Sequence, residues 1–217
     1  MSNPHSPICA ASRSIPGTAV AAEWLHGISR ARGRIRIASI GPTGTSADDA
    51  LAELTRCLPA ESASLLRVEL CSSFEVALTQ VLEGAADYAL VPSAYRDATA
   101  FHWNPLLELA CVFVHRTPDY GLAVMPNMQF LERGGLVVAA MPEVQEIYDQ
   151  LAPEHLAGRP REFRIASSTS DAAAIVGDGA ADIAVCNEHG RREHELAWVS
   201  KRQGAEIVWM LFELRKD

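Results

Sequence analysis

The sequence predicts an α/β protein of two lobes with a ligand cleft between them. Three observations predict it. From residue 35 onward, short buried-strand patterns alternate with helical patterns, the order that builds a mostly parallel sheet. One unit occurs twice. Ser73-Phe74-Glu75-Val76-Ala77 leads through a helix to Gly84-Ala85-Ala86-Asp87-Tyr88-Ala89-Leu90-Val91, and Ser170-Asp171-Ala172-Ala173-Ala174 leads to Gly179-Ala180-Ala181-Asp182-Ile183-Ala184-Val185-Cys186. The spacing is too irregular for a stacked repeat; it suits two lobes that each aim helix N-termini at a shared cleft. Finally, 217 residues at 48% hydrophobic content can build a real core in each lobe.

Composition excludes several partner classes. A net charge of −8 argues against nucleic acid or an anionic membrane surface as partner. No apolar run reaches bilayer-spanning length. The five cysteines (Cys9, Cys57, Cys71, Cys111, Cys186) are dispersed without a C-x-x-C pair, which reads as reduced, mostly buried thiols in a cytoplasm. The seven histidines have no metal-ligand spacing: His189 and His194 are five apart, off the i, i+4 spacing of a helical pair, so no metal site is expected.

Residues 1–17, rich in Ser, Pro and Ala, lack the continuous apolar core of a signal peptide and are expected to be disordered. A short helix follows over 18–31, with Trp24, Leu25 and Ile28 on one side. The alternating Arg30, Arg32, Arg34 and Arg36 read as solvated residues leading into a strand at 35–40. That strand breaks at Gly41-Pro42, and Thr43-Gly44-Thr45-Ser46 opens a helix over 46–57. Read from the residues alone, this is a capped βα turn with Ser46 as N-cap. It is also a place where helix N–H groups and three hydroxyls can hold an anion. It is not a P-loop, because no Lys follows the second Gly.

The rest continues the pattern. A strand at 66–70, a helix at 73–83 stopped by Gly84 and a strand at 87–91 complete the first unit. Strands at 106–115 and 120–125 flank the turn Arg116-Thr117-Pro118-Asp119. A strand at 136–140 precedes a helix opened by Pro142. A strand at 163–166, a helix behind the caps Ser168-Thr169-Ser170 and a strand at 182–186 repeat the unit. A helix from Glu188 reads as a solvated face (Glu188, Arg191, Arg192, Glu193, Glu195), and a strand at 207–214 ends the chain. To this point the pattern implies a small anionic ligand and no particular reaction.

Three pieces in order resemble the prephenate dehydratase family: the Gly41-Pro42-Thr43-Gly44-Thr45-Ser46 turn, the segment from Ser73-Phe74 through Gly84 to Pro92, and Ser168-Thr169-Ser170 followed by Ala172-Ala173. The resemblance covers 35–214 and implies that family's periplasmic-binding-protein-like catalytic fold. It implies an extension at 1–33, partly disordered, and one catalytic domain from 34 to 217. Lobe 1 is expected at 34–105 plus 186–217, and lobe 2 at 106–185. The chain departs from the dehydratases where they carry Asn-Ser after Val-Pro, since Val91-Pro92 runs into Ser93-Ala94-Tyr95-Arg96 here. Their Thr-Arg-Phe motif is replaced by Met210-Leu211-Phe212. In these respects the chain is more similar to the non-aromatising branch, the prephenate decarboxylases of bacilysin-type pathways. Val91-Pro92-x-Ala94-Tyr95, Thr117-Pro118-x-Tyr120-Gly121-Leu122, Asn187-Glu188 and Leu211-Phe212 match that branch in order. At position 93, a His in that branch's best-known member is Ser here.

The resemblance implies decarboxylation of prephenate with the ring hydroxyl retained, giving a dihydro-4-hydroxyphenylpyruvate for specialised, antibiotic-type biosynthesis of non-proteinogenic amino acids. Dehydration needs an acid at the hydroxyl, and neither Met210 nor Leu211 can donate a proton. No cofactor is expected, because the diene accepts the electrons. Thr43, Gly44, Thr45 and Ser46 are expected to bind one carboxylate and Ser168, Thr169 and Ser170 the other. Tyr120, Gly121 and Leu122 would line the ring pocket, with Asn187 as the far wall and Met210, Leu211 and Phe212 as the apolar side. Ser93 and Tyr95 are expected to be catalytic, contacting the hydroxyl or delivering the proton. Without the resemblance, Ser168-Thr169-Ser170 is simply a cap, Tyr120 a core aromatic and Asn187 a turn residue. The alternatives are a dehydratase giving phenylpyruvate, a lyase acting on a prephenate analogue, and a non-catalytic module that binds a small acid. A homodimer is expected from the family.

Overall fold

The computed structural model describes residues 17–128 and 135–216. In chain order its elements are α1 (Thr18–Arg32), β1 (Ile35–Ile40), α2 (Ser46–Arg56), α3 (Ala60–Ala63), β2 (Leu66–Cys71), α4 (Phe74–Leu82), β3 (Tyr88–Pro92), α5 (Thr99–His102), β4 (Leu107–Arg116), β5 (Tyr120–Val124) and β6 (Leu136–Ala140). A 3₁₀ turn (Pro142–Val144) then leads to α6 (Gln145–Leu151), α7 (Glu154–Ala157), β7 (Arg161–Ile165), α8 (Thr169–Gly177), β8 (Ile183–Asn187), α9 (Glu188–Glu193), β9 (Ala197–Arg202) and β10 (Glu206–Leu214). The strands form two five-stranded sheets, β2-β1-β3-β10-β4 and β7-β6-β8-β5-β9. In each, three parallel strands are followed by one antiparallel strand. The two-lobed α/β fold is therefore present.

The internal repeat has a physical basis. Asp87 accepts a hydrogen bond from the backbone N–H of Arg36 at 2.7 Å, and Asp182 accepts one from Val137 N–H at 2.8 Å. In both lobes the Asp before the third parallel strand pins the first residues of its neighbour. The glycines that stop α4 and α8 are followed or formed by left-handed positions, Gly84 (φ 71°) and Gly179 (φ 72°), which favour a residue without Cβ.

Helix α2 buries Ala47, Ala50, Leu51 and Leu54, an i, i+3, i+4, i+7 stripe. These join Ile37, Tyr88, Leu90, Phe113 and Trp209 in the first lobe's core. Each fully buried large side chain there contributes roughly 1.5–3 kcal/mol. The second sheet buries both faces, Leu122, Val138 and Val185 on one and Ala123, Ala139 and Ala184 on the other, because strand side chains alternate.

The structure moves three expectations. β4 and β5 are not a hairpin: β4 pairs with β10 and β5 with β8 and β9, so Thr117-Pro118-Asp119 crosses between sheets. The return crossing is Gln203-Gly204-Ala205, after β9, so the lobes exchange near 118 and 204 instead of near 105 and 185. The segment from Thr18 is not an appendage, since Ala21, Ala22 and Leu25 of α1 are buried in the first core. The expectation for residues 1–16 lies outside the described residues. The two crossings are bonded to each other: Thr117 N–H donates to Ala205 O at 2.9 Å, Ala205 N–H to Thr117 Oγ1 at 3.1 Å and Gly204 N–H to Asp119 Oδ1 at 3.3 Å.

Candidate active site

A cavity of about 250 Å³ lies between the lobes. Lobe 1 contributes Ile40, Thr45, Ser46, Ala47, Phe74, Pro92, Ala94, Tyr95, Ile207 and Trp209. Lobe 2 contributes Tyr120, Met141, Glu143, Val144, Ile147, Ser168, Thr169 and Arg202, and the crossings add Thr117, Gln203 and Ala205. The middle is apolar, and hydroxyls collect where α2 and α8 begin.

Both helix starts are capped in the same way. Thr45, not Ser46, is the N-cap of α2: its Oγ1 accepts from Asp48 N–H at 3.2 Å, while Gly44 N–H donates to Asp48 Oδ2 at 2.9 Å. At α8, Ser168 Oγ accepts from Asp171 N–H at 3.0 Å, and Ser167 N–H donates to Asp171 Oδ2 at 2.7 Å. An aspartate therefore partly neutralises each helix start. Arg202 is the cationic side chain among the lining residues, and its Nη1 reaches Gln150 Oε1 at 2.9 Å.

Several bonds join the lobes beside the cavity. Ser46 Oγ and Tyr120 OH share a hydrogen bond of 2.7 Å, and Asn187 Nδ2 donates to Gly44 O at 2.8 Å. Asp49 lies 2.8 Å from His115 Nε2 in its own lobe and 3.4 Å from His189 Nε2 in the other. The His115 contact, with His189 adding to it, lowers the Asp49 carboxyl against its partial burial. Burial raises Tyr120 above an ordinary phenol despite its bonds to Ser46 and Thr169, so it is a protonated donor at neutral pH. Tyr95 OH donates to the Glu75 carboxylate; burial and that partner raise the Tyr95 phenol, while Ser73 and Tyr95 lower Glu75.

Of the residues expected from sequence, Thr45, Ser46, Tyr95, Tyr120, Ser168 and Thr169 line the cavity. The others do not. Thr43 and Ser93 are exposed, with the Ser93 backbone N–H bonded to Val208 O. Gly44 and Asn187 meet each other in the lobe contact. Ser170 is buried behind the turn, its Oγ 3.7 Å from where a Gly44 Cβ would stand. Gly121 backs onto β9, where a Cβ would lie 2.2 Å from Ser200 O, and Leu122 is a core residue. Met210, Leu211 and Phe212 are buried in the first core, Phe212 against Phe101 and His102. Ile207 and Trp209 supply the apolar wall in their place, because β10 alternates. Sequence reasoning missed Glu143, Arg202 and Trp209. The period-two placement of Ile207 and Trp209 was available to find the last, and Trp198, Ser200 and Arg202 share a similar alternation.

Among the described residues no group of three or more His, Cys, Asp or Glu is placed to hold a metal ion, and no helix is long and apolar enough to cross a membrane. No family model matches the sequence. The chain is 33% identical over 181 residues to a prephenate decarboxylase from Planktothrix agardhii (strain NIVA-CYA 126/8), covering 81% of this chain and 86% of that one. The chain belongs to the prephenate decarboxylase family. Among solved structures it is similar to a prephenate dehydratase from Arthrobacter aurescens in complex with L-Phe, with a TM-score of 0.59 at 18% identity. That match covers 84% of this chain and 61% of the dehydratase, so the chain spans less than two thirds of it. A periplasmic substrate-binding protein of an ABC transporter from Coxiella burnetii gives a TM-score of 0.52 at 11% identity, over 81% of this chain and 84% of that one. In this member of the prephenate decarboxylase family, the cavity occupies the interlobe position predicted for the ligand cleft.

Proposed function

We propose that the chain decarboxylates prephenate and keeps the ring hydroxyl, releasing a dihydro-4-hydroxyphenylpyruvate. The observation that carries this reading is a family member whose interlobe cavity combines an apolar middle with hydroxyls at one place and Arg202 at another. Prephenate is a dianion with a ring carboxylate and a pyruvyl side chain. Arg202 with Gln203 binds the pyruvyl carboxylate, and Ser46, Tyr120, Ser168 and Thr169 orient the ring carboxylate beside apolar side chains. Poor solvation there favours loss of charge as CO2 leaves. The pair of electrons from the broken C–C bond enters the diene, and one proton added at a ring carbon leaves the ring uncharged, the pyruvyl carboxylate keeping the one remaining negative charge. Glu143 is the lining carboxyl suited to carry that proton. Tyr95, whose hydroxyl proton is given to Glu75, lines the cavity beside it as a positioning residue. Ser93, exposed and outside the lining, has no part in this version.

The reaction balances without a cofactor. We further propose a single two-lobed catalytic domain, a homodimer, a cytoplasmic setting and a place in specialised, antibiotic-type biosynthesis. Free Cys57, Cys71, Cys111 and Cys186 support a reducing compartment. The test is incubation with prephenate at neutral pH, with product identified by mass and ultraviolet spectrum. Loss of CO2 with the hydroxyl retained supports the proposal. Phenylpyruvate means that a residue of this cavity acts as acid toward the hydroxyl. Binding without turnover makes the chain a small-acid-binding module.

A further inference from the structure

Arg202 lines the interlobe cavity and stands directly opposite Tyr120 across the β5–β9 pair. Residues directly opposite one another on neighbouring strands send their side chains to the same face of the sheet. The Tyr120 side chain leaves that face to meet Ser46 of the other lobe at 2.7 Å, so Arg202 leaves the sheet on the cavity side as well. Helix α6 packs on the same face: its Tyr148 is buried with Leu122, which shares the Tyr120 face of β5, and its Ile147 lines the cavity. From α6, Gln150 Oε1 accepts a hydrogen bond from Arg202 Nη1 at 2.9 Å.

The chemistry of that partner is unlike what neighbouring cations receive. Lys201 lies 3.2 Å from the Asp119 carboxylate, and Arg161 lies 2.5 Å from Asp149, the residue beside Gln150 on α6. Arg191 and Arg192 share Glu188. Among the described residues the partner of Arg202 is instead a neutral amide. An amide oxygen takes one N–H and fixes the direction of the planar guanidinium without cancelling its charge, and the remaining donors are left for an anion. A carboxylate in the same place would bind the fork bidentately and repel an incoming anion.

We propose that Gln150 is a positioning residue for substrate binding: its amide aims Arg202 and keeps the arginine charge unpaired for the pyruvyl carboxylate of the ligand. The proposal rests on the reading that Arg202 holds that carboxylate. It makes the neutrality of position 150 the functional property, which differs in sign from a bond that only ties α6 to β9. Gln150→Glu places an ion pair there, so a mere tie is strengthened and binding is untouched. A positioning amide is spoiled by the same change although the fold gains.

The test measures prephenate consumption, Tm and ligand affinity for the wild type, Gln150→Glu and Gln150→Ala. In Gln150→Glu, KM should rise roughly 10-fold, because the arginine is already neutralised and the new carboxylate faces the incoming one. Its kcat should stay within about 2-fold, since the contact is made equally in ground and transition states. Its Tm should hold or rise. In Gln150→Ala, KM should rise roughly 2- to 5-fold for the loss of one hydrogen bond. Calorimetry with phenylpyruvate and its uncharged amide isolates the arginine. The wild type should prefer the acid by roughly 10-fold or more, and the preference should collapse in Gln150→Glu. An unchanged KM and preference in Gln150→Glu overturn the proposal, as does a wild type without the preference. A fall in Tm together with a fall in kcat marks a structural role and overturns it too. If Arg202→Met weakens prephenate binding while Gln150→Glu does not, Gln150 is only a tie and the reading of Arg202 stands. A wild type that leaves prephenate intact but prefers the acid, with the preference lost in Gln150→Glu, removes the decarboxylase reading and keeps Gln150.

Discussion

Replacing Glu188 by Gln removes one negative charge from the contact that ties α9 to β9, the strand that carries Arg202. The Glu188 carboxylate accepts from Arg191 Nε and Nη2 at 3.1 Å each, from Arg192 Nε at 2.6 Å and from Trp198 Nε1 at 2.9 Å. Arg191 first, then Trp198 and Arg192, pull its pKa from 4.5 to about 2. That difference bounds the charge-dependent stabilisation at about 3 kcal/mol. The Glu188 side chain is 22% exposed and Arg192 68%, so solvent screening reduces the figure to roughly half of that. A lowered carboxyl stabilises the fold above its unfolded value near 4.5, and the contribution is lost as pH falls through about 2. At pH 3 under half of it remains. For a chain of this length, Glu188→Gln should lower Tm by roughly 3–7 °C at pH 7 and by about 1–3 °C at pH 3, read by thermal denaturation. Gln keeps an acceptor for Trp198, so the difference reports the charge. A shift below about 1 °C at pH 7, or one that does not shrink at pH 3, would refute the reasoning.

Arg202→Met keeps the stem and removes the charge; with about 2 kcal/mol for a carboxylate contact at intermediate dielectric, kcat/KM for prephenate should fall roughly 30-fold with CD unchanged. A change under about 3-fold would remove Arg202 from substrate binding. Tyr120→Phe deletes the hydroxyl shared with Ser46, and the loss of about 1 kcal/mol should reduce kcat/KM roughly 5-fold, measured by prephenate consumption. Full activity would show that the bond is dispensable. Gly121→Ala drives a Cβ to 2.2 Å from Ser200 O and 2.9 Å from Lys201 Cα, backbone that cannot step aside. It should destabilise by about 2–3 kcal/mol in denaturant titration, and a wild-type midpoint would contradict the β5–β9 packing.

What could be read beforehand was local. The breaks at Gly41-Pro42, Gly84 and Gly179 and the caps at Ser73 and Ser168 are written in short-range chemistry, and these elements lie where expected. Non-local pairing was not legible. Arg116-Thr117-Pro118-Asp119 has turn chemistry whether its flanking strands pair with each other or with strands about 65 to 105 residues away. β9 was missed because an edge strand has one neighbour and an exposed, mixed face, so Arg202 on it went unnoticed. The site suffered from a one-residue ambiguity. Met210 and Trp209 are both apolar members of one strand, and facing is decided by register. Asn187, expected as a wall, spends its amide on Gly44 and Gly190 instead.

The paired crossings near 118 and 204 have a mechanical consequence. A single covalent link would let one lobe twist and slide freely on the other. Two links laced together by three hydrogen bonds behave like a flat strap, stiff to shear and twist, yielding mainly to bending across its width. At Gly204 the backbones are so close that a Cβ would stand 1.8 Å from Thr117 O, so the straps have no slack to separate. The opening that this strap permits is that of the covers of a book. In any such opening the cavity-lining groups nearest the spine, Thr117, Gln203 and Ala205, travel least, and the bond between Ser46 and Tyr120 is one that must break.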